Sequence, residues 1–99
     1  MKITFDEQTK NALLKKLTEE NKPAVRLAIA GFGWGGPTLS VALDEQNEND
    51  LVENMEGLTF IVDKDEEYIF EECSIAYKKT LFGETFKVVS AAIGESTCS

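Results

Sequence analysis

Gly31-Phe32-Gly33-Trp34-Gly35-Gly36-Pro37 gathers four glycines, a proline and the only tryptophan into seven residues. Gly31, Gly33 and Gly36 spell GxGxxG, which in a dinucleotide site hands a pyrophosphate to the N-terminus of a following helix. Here Pro37 and a strand-like alternation follow instead, so that chemistry is excluded on context. What the spacing supports is a tight loop between two strands, open to close approach because glycine reaches positive φ without steric cost. Loops of this kind often carry function, which makes Gly31, Gly33, Trp34, Gly35 and Gly36 the candidate binding loop. Trp34 reads either as an aromatic platform or plug there, or as a large side chain capping an exposed end of the core. The capping reading is preferred.

The chain contains no histidine, which removes the commonest general base, the usual nucleophile triads and imidazole metal ligands together. No catalytic residue is assigned, and no enzymatic activity is expected. The two cysteines, Cys73 and Cys98, form no CxxC pair, so a zinc centre has no support. Cys73 lies in a strand pattern and reads as a small buried hydrophobe. Cys98 sits in an accessible tail: a nucleophile or mixed-disulfide site, or an inert thiol with no neighbouring cation to lower its pKa. Glu45, Glu48, Asp50 and Glu53 could attract a hard cation but lack EF-hand spacing, and read as a solvated acidic loop.

The elements that must position these residues follow from periodicity. Met1–Phe5 alternates as a short strand, and Asp6 is placed to cap a helix over Glu7–Glu20. Ala12, Leu13, Leu14 and Leu17 share one face of that helix, which Asn21 and Pro23 end. Period-two patterns then predict strands over Val25–Ala30, Thr38–Asp44 and Gly57–Asp63, with Glu45–Asp50 as a loop. Tyr68–Cys73, Ser74–Lys79 and Phe86–Val89 also read as strands, and Ala91–Ser99 as a small-residue, mobile tail. The 99 residues fit one domain, 1–99, of mostly β (α+β) class: six or seven short, mostly antiparallel strands and one N-terminal helix.

Ten basic against eighteen acidic residues leave a net charge of −8, which repels phosphate backbones and anionic membranes. Neither nucleic acid nor membrane is therefore an expected partner. No apolar run approaches a membrane span and no signal-peptide core is present, so a cytoplasmic location is expected.

The order of these pieces resembles the HesB-like, IscA-type domain over nearly the whole chain. The resemblance rests on a capped helix, the RLAIA strand, the glycine loop, LSVALDE, the acidic loop, GLTFIVDKD, and GETFKV before a small-residue tail. Gly35-Gly36-Pro37 and Ala42-Leu43-Asp44-Glu45 match the HesB-related branch in which a cysteine or selenocysteine precedes GGP. The resemblance implies a β-sandwich or distorted barrel with one outer helix, usually a dimer or tetramer, with a dimer expected here, and an A-type carrier of iron or an iron–sulfur cluster. It implies three cysteine ligands, one in the glycine loop and two in a C-terminal Cys-Gly-Cys, and iron–sulfur assembly or recipient proteins as partners. Here Trp34 stands in the slot of the loop cysteine, and Cys98 alone transfers as a tentative metal ligand. A degenerate cluster site with no stably bound cofactor is therefore the expectation.

Overall fold

In the computed structural model, residues 1–34, 36–92 and 94–95 are described. They form β1 (Lys2–Thr4), α1 (Glu7–Glu20), β2 (Ala24–Gly33), β3 (Gly36–Asp44), β4 (Asp50–Met55), β5 (Leu58–Asp63), β6 (Glu72–Thr80), β7 (Gly83–Ser90) and β8 (Gly94–Glu95). The strands make two four-stranded sheets, ordered β1-β6-β7-β8 and β3-β2-β5-β4. Neither sheet closes on itself, so the arrangement is a sandwich and not a barrel. Between the sheets Ile3, Cys73, Ile75 and Val88 meet Val25, Leu27, Leu39, Phe60 and Val62, with Leu13 of the helix in the same cluster.

The helix begins and ends where local chemistry dictates. Asp6 accepts the Thr9 N–H at 2.8 Å, satisfying a first-turn donor, and hydrogen bonding to Thr9, its side chain first and then its N–H, lowers the Asp6 carboxyl pKa. Asn21, at φ 53°, closes the other end in the left-handed conformation asparagine tolerates. Leu13 is fully buried, and the Thr9 hydroxyl accepts the Tyr77 N–H of β6 at 3.0 Å. Leu13, with Leu14 and Leu17 packed beside it, and the Thr9 contact thus fix the helix against the core.

Three expectations are corrected. Both strands around the glycine cluster run further than their apolar alternation suggests, to Gly33 and from Gly36. Asp50–Met55, read as loop or left unassigned, is an edge strand paired with β5; its apolar Leu51 and Val52 face solvent while Asp50 and Glu53 are more covered, which hides the usual alternation. Tyr68–Cys73 is not a strand before Glu72. Residues 64–71 turn, held by bonds from Ile69 N to Glu66 O (3.1 Å) and Phe70 N to Glu67 O (2.9 Å), and the adjacent Ile69 and Phe70 are both buried. Two consecutive buried residues cannot share the period of a one-sided strand. The pairing is mostly antiparallel, as expected, with two parallel exceptions: β1 beside β6 and β2 beside β5. Within 91–99, Gly94–Glu95 pairs with Val89–Ser90.

Candidate functional site

The glycine cluster forms the end of a two-stranded ribbon. β2 pairs with β5 only from Val25 to Leu27, while its pairing with β3 continues to Gly33 opposite Gly36. Where β5 gives out, the Glu66 carboxylate accepts the Ile29 N–H at 3.0 Å and so occupies the donor a third strand would have taken. A register shift between Ile29 and Gly31 leaves Ala30 out of the ladder, a bulge that adds twist at the ribbon's base. Beyond it the ribbon has one partner on each strand and solvent elsewhere.

At the tip, Gly36 has φ 102°, a conformation that requires glycine. A Cβ added at Gly31 or Gly33 would meet nothing within 4 Å, so those glycines leave space rather than fill a tight contact. Phe32 is 80% exposed and Trp34 108% exposed. The indole therefore caps no part of the core, which corrects the preferred reading. Phe32 lies opposite Pro37 in the register, which makes the end of the ribbon apolar. From Leu27 to Leu43 no residue is charged, in a chain that is 28% charged.

The opposite end of the same hairpin carries the strongest electrostatic cluster, which sequence reasoning missed. Arg26 donates from Nε to Asp44 Oδ2 at 2.6 Å and from Nη1 and Nη2 to the two oxygens of Asp50 at 2.8 and 2.6 Å. A further bond runs to the Glu45 carbonyl at 3.2 Å. Hydrogen bonding to Arg26 holds both Asp44 and Asp50 below the ordinary carboxylate range, and Asp50 chiefly raises the arginine. The Asp50 side chain is wholly buried, so it is not part of a solvated acidic loop. Glu53 likewise leaves that group, lying 3.6 Å from the N-terminal ammonium. Arg26 was legible only as an outward-facing strand residue. Its fork ties β2, β3 and β4 together and keeps the ribbon's base rigid.

Of the thiols, Cys73 lies in β6 between Ile3 and Ser90, is 4% exposed, and is pushed up to about 11 by burial. A thiol that resists ionisation is a poor ligand and a poor nucleophile. Cys98 and Gly35 lie outside the described residues. Among the described residues no three Cys, Asp or Glu side chains converge to hold a metal ion, and their donors do not fit a cluster.

Comparison with known proteins bears on the same region. The family described as Iron-sulphur cluster biosynthesis matches residues 1–98. None of the curated proteins matches the sequence. Among solved structures, IscA with a [2Fe–2S] cluster is similar at a TM-score of 0.74 and 16% identity, over 90% of this chain and 85% of that one. Escherichia coli SufA, involved in biosynthesis of iron–sulfur clusters, is similar at 0.67 and 16%, over 91% and 86%. A protein from Aquifex aeolicus is similar at 0.67 and 18%, over 87% and 88%. At such identities the likeness concerns the fold, whereas the family match spans nearly every residue. The chain belongs to the iron–sulfur cluster biosynthesis, HesB/IscA-type, family.

Proposed function

We propose that this protein serves iron–sulfur cluster biogenesis as a non-enzymatic HesB/IscA-type protein whose own cluster site is degenerate. Family membership supports the role in biogenesis. The observation that carries the degenerate site is the ribbon tip: Trp34 is fully in solvent there, and indole has one N–H and no lone pair for iron. The cargo, iron or a cluster, calls for soft thiolates. Cys73 is buried and protonated, which leaves Cys98 as the tentative ligand of each chain. A homodimer then supplies two thiolates where a [2Fe–2S] cluster takes four. The cytoplasm, where thiols stay reduced, suits such a protein.

The test is anaerobic reconstitution with iron and sulfide, reading iron and acid-labile sulfide per subunit. Substoichiometric, labile loading is expected for the native sequence, higher retention for Trp34→Cys, and loss of any residual loading in Cys98→Ser. Stoichiometric iron and sulfide in the unmutated protein would sink the proposal.

A second reading has its own observation. Phe32 and Trp34 both stand in solvent on an uncharged ribbon, as aromatic anchors do before a partner covers them. On this reading the scaffold is an interaction module that binds an assembly or recipient protein through the tip. A colourless protein after reconstitution, whose binding to an assembly component is lost in Trp34→Ala, favours it.

A further inference from the structure

We propose that the β6–β7 hairpin is a peripheral docking element for an anionic phospholipid surface, a role that goes beyond cluster biogenesis and does not depend on it. The hairpin turns at Leu81-Phe82, and both side chains are 100% exposed. The turn that presents them is locked. Phe82 N–H donates to the Thr80 hydroxyl at 3.2 Å, that hydroxyl donates to the Gly83 carbonyl at 3.1 Å, and Gly83 takes φ 127°. Two adjacent large apolar residues at the crest of a rigid, convex turn expose apolar area that buries nothing within the chain. A convex tip suits a deformable apolar medium, whereas a protein partner would have to bring a matching pocket.

Cationic side chains stand behind the crest, where lipid headgroups would lie. Lys78 and Lys79 are exposed on β6 immediately before the turn. Lys79 also lines a cleft of about 280 Å³ between the hairpin and α1, together with Lys15, Lys16 and Asn11. Glu84 is the one carboxylate among the described residues of that cleft. It is already engaged, accepting the Tyr77 hydroxyl at 2.8 Å and pairing with Lys16 at 3.5 Å. Apolar insertion backed by lysines provides the two signals that stable interfacial binding needs.

The net charge of −8 argues against an anionic surface only if the charge is evenly spread, whereas five of the eighteen acidic residues lie at the far end of β6; nearer the hairpin, Glu20 and Glu84 stand beside Lys16. Asp65, Glu66, Glu67, Glu71 and Glu72 gather in the turns that lead into β6, at the end of the strand away from the crest. The nine residues of β6 separate those groups from the turn by roughly 26 Å. Screening in physiological salt acts over about 8 Å, so the acidic end does not feel a surface that the crest touches.

The experiment is sedimentation of the full chain with phosphatidylcholine vesicles that contain or lack phosphatidylglycerol. The protein should sediment with the anionic vesicles only, and release at high salt. Lys78→Gln with Lys79→Gln should weaken partitioning by about fivefold per lysine. Leu81→Ser with Phe82→Ser should abolish it without altering the thermal midpoint, since both side chains are exposed. Phe82→Trp in a Trp34→Phe background adds a direct readout, a blue shift of emission on anionic vesicles. Absence of sedimentation, equal sedimentation with neutral vesicles, or an unshifted indole emission from the Phe82→Trp variant would overturn the proposal. So would self-association without lipid that the Leu81→Ser, Phe82→Ser variant abolishes, which would make the crest a contact between copies.

Discussion

Arg26 makes the most concentrated set of polar bonds among the described residues, and its energetics follow from burial. Asp50 has no exposed side-chain surface and both its oxygens accept from the guanidinium. Asp50→Ala would leave a mostly buried cation half-paired, at a cost of about 3 kcal/mol near neutral pH. Both carboxyls titrate below their ordinary value of 3.8 in the folded protein. Their contribution is therefore complete above that value and is lost as the pH falls through the lower folded ones. Chemical denaturation across pH should show the cost of Asp50→Ala shrinking below about pH 4. A cost that persists unchanged to about pH 2 would contradict this account. Cys73 gives a second test at this scale. With its thiol at about 11 and 4% exposed, it should resist alkylation at about pH 8 in a Cys98→Ser background until the protein is unfolded. Rapid labelling of the folded chain would show that burial does not protect it. Cys73 was legible in the sequence because a small apolar residue in a strand has few alternatives. The Arg26 fork was not, because Asp44 and Asp50 lie far from it along the chain and only strand pairing unites them.

At the scale of elements, the helix was legible almost residue by residue. Its cap, its apolar face and its stop are all local signals, and they act on a segment whose bonds close within four residues. What no local signal disclosed is the role of Thr9, a buried polar residue inside the helix. Its hydroxyl occupies the acceptor position for Tyr77 N–H, so α1 substitutes for a strand at that point of β6. Thr9→Val keeps the shape and removes the acceptor, leaving a part-buried N–H without that partner. A loss of about 1–3 kcal/mol is expected, read by denaturant unfolding, with Thr9→Ser recovering part of it. If Thr9→Val is as stable as the native sequence, the contact is incidental. The ribbon was only half legible. Glycine lacks the side chains whose alternation reveals a strand, so the pattern stopped at the glycines although the hydrogen-bond ladder continued through them. The 64–71 turn misread as strand for the opposite reason. Tyr68-Ile69-Phe70 has strand composition, but backbone bonds to Glu66 and Glu67 claim it first.

For the molecule as a whole, the class and element order were legible, whereas the pairing was not. Apolar alternation says which residues face inward, but it does not say which strand lies beside which. The sandwich places N-terminal β1 beside C-terminal β6, and β2 beside β5 across the β3–β4 excursion. This arrangement also explains why Ser90 is buried yet satisfied: its hydroxyl donates to the Ile69 carbonyl of the turn before β6, stitching the end of the β6–β7 hairpin to the turn that leads into it.

That first strand sets a schedule for the protein's birth. Ile3 leaves the ribosome well before its ladder partner, Cys73, has been made. Until then β1 is an unpaired edge with only Ile3 to bury and nothing to lie against, and the sheet of β1, β6, β7 and β8 cannot begin. The other sheet has all its strands once Asp63 has emerged. Synthesis therefore delivers one half of the sandwich well before the other, and the nascent chain must hold that half's inner face, Leu27, Phe60 and Val62, without its cover.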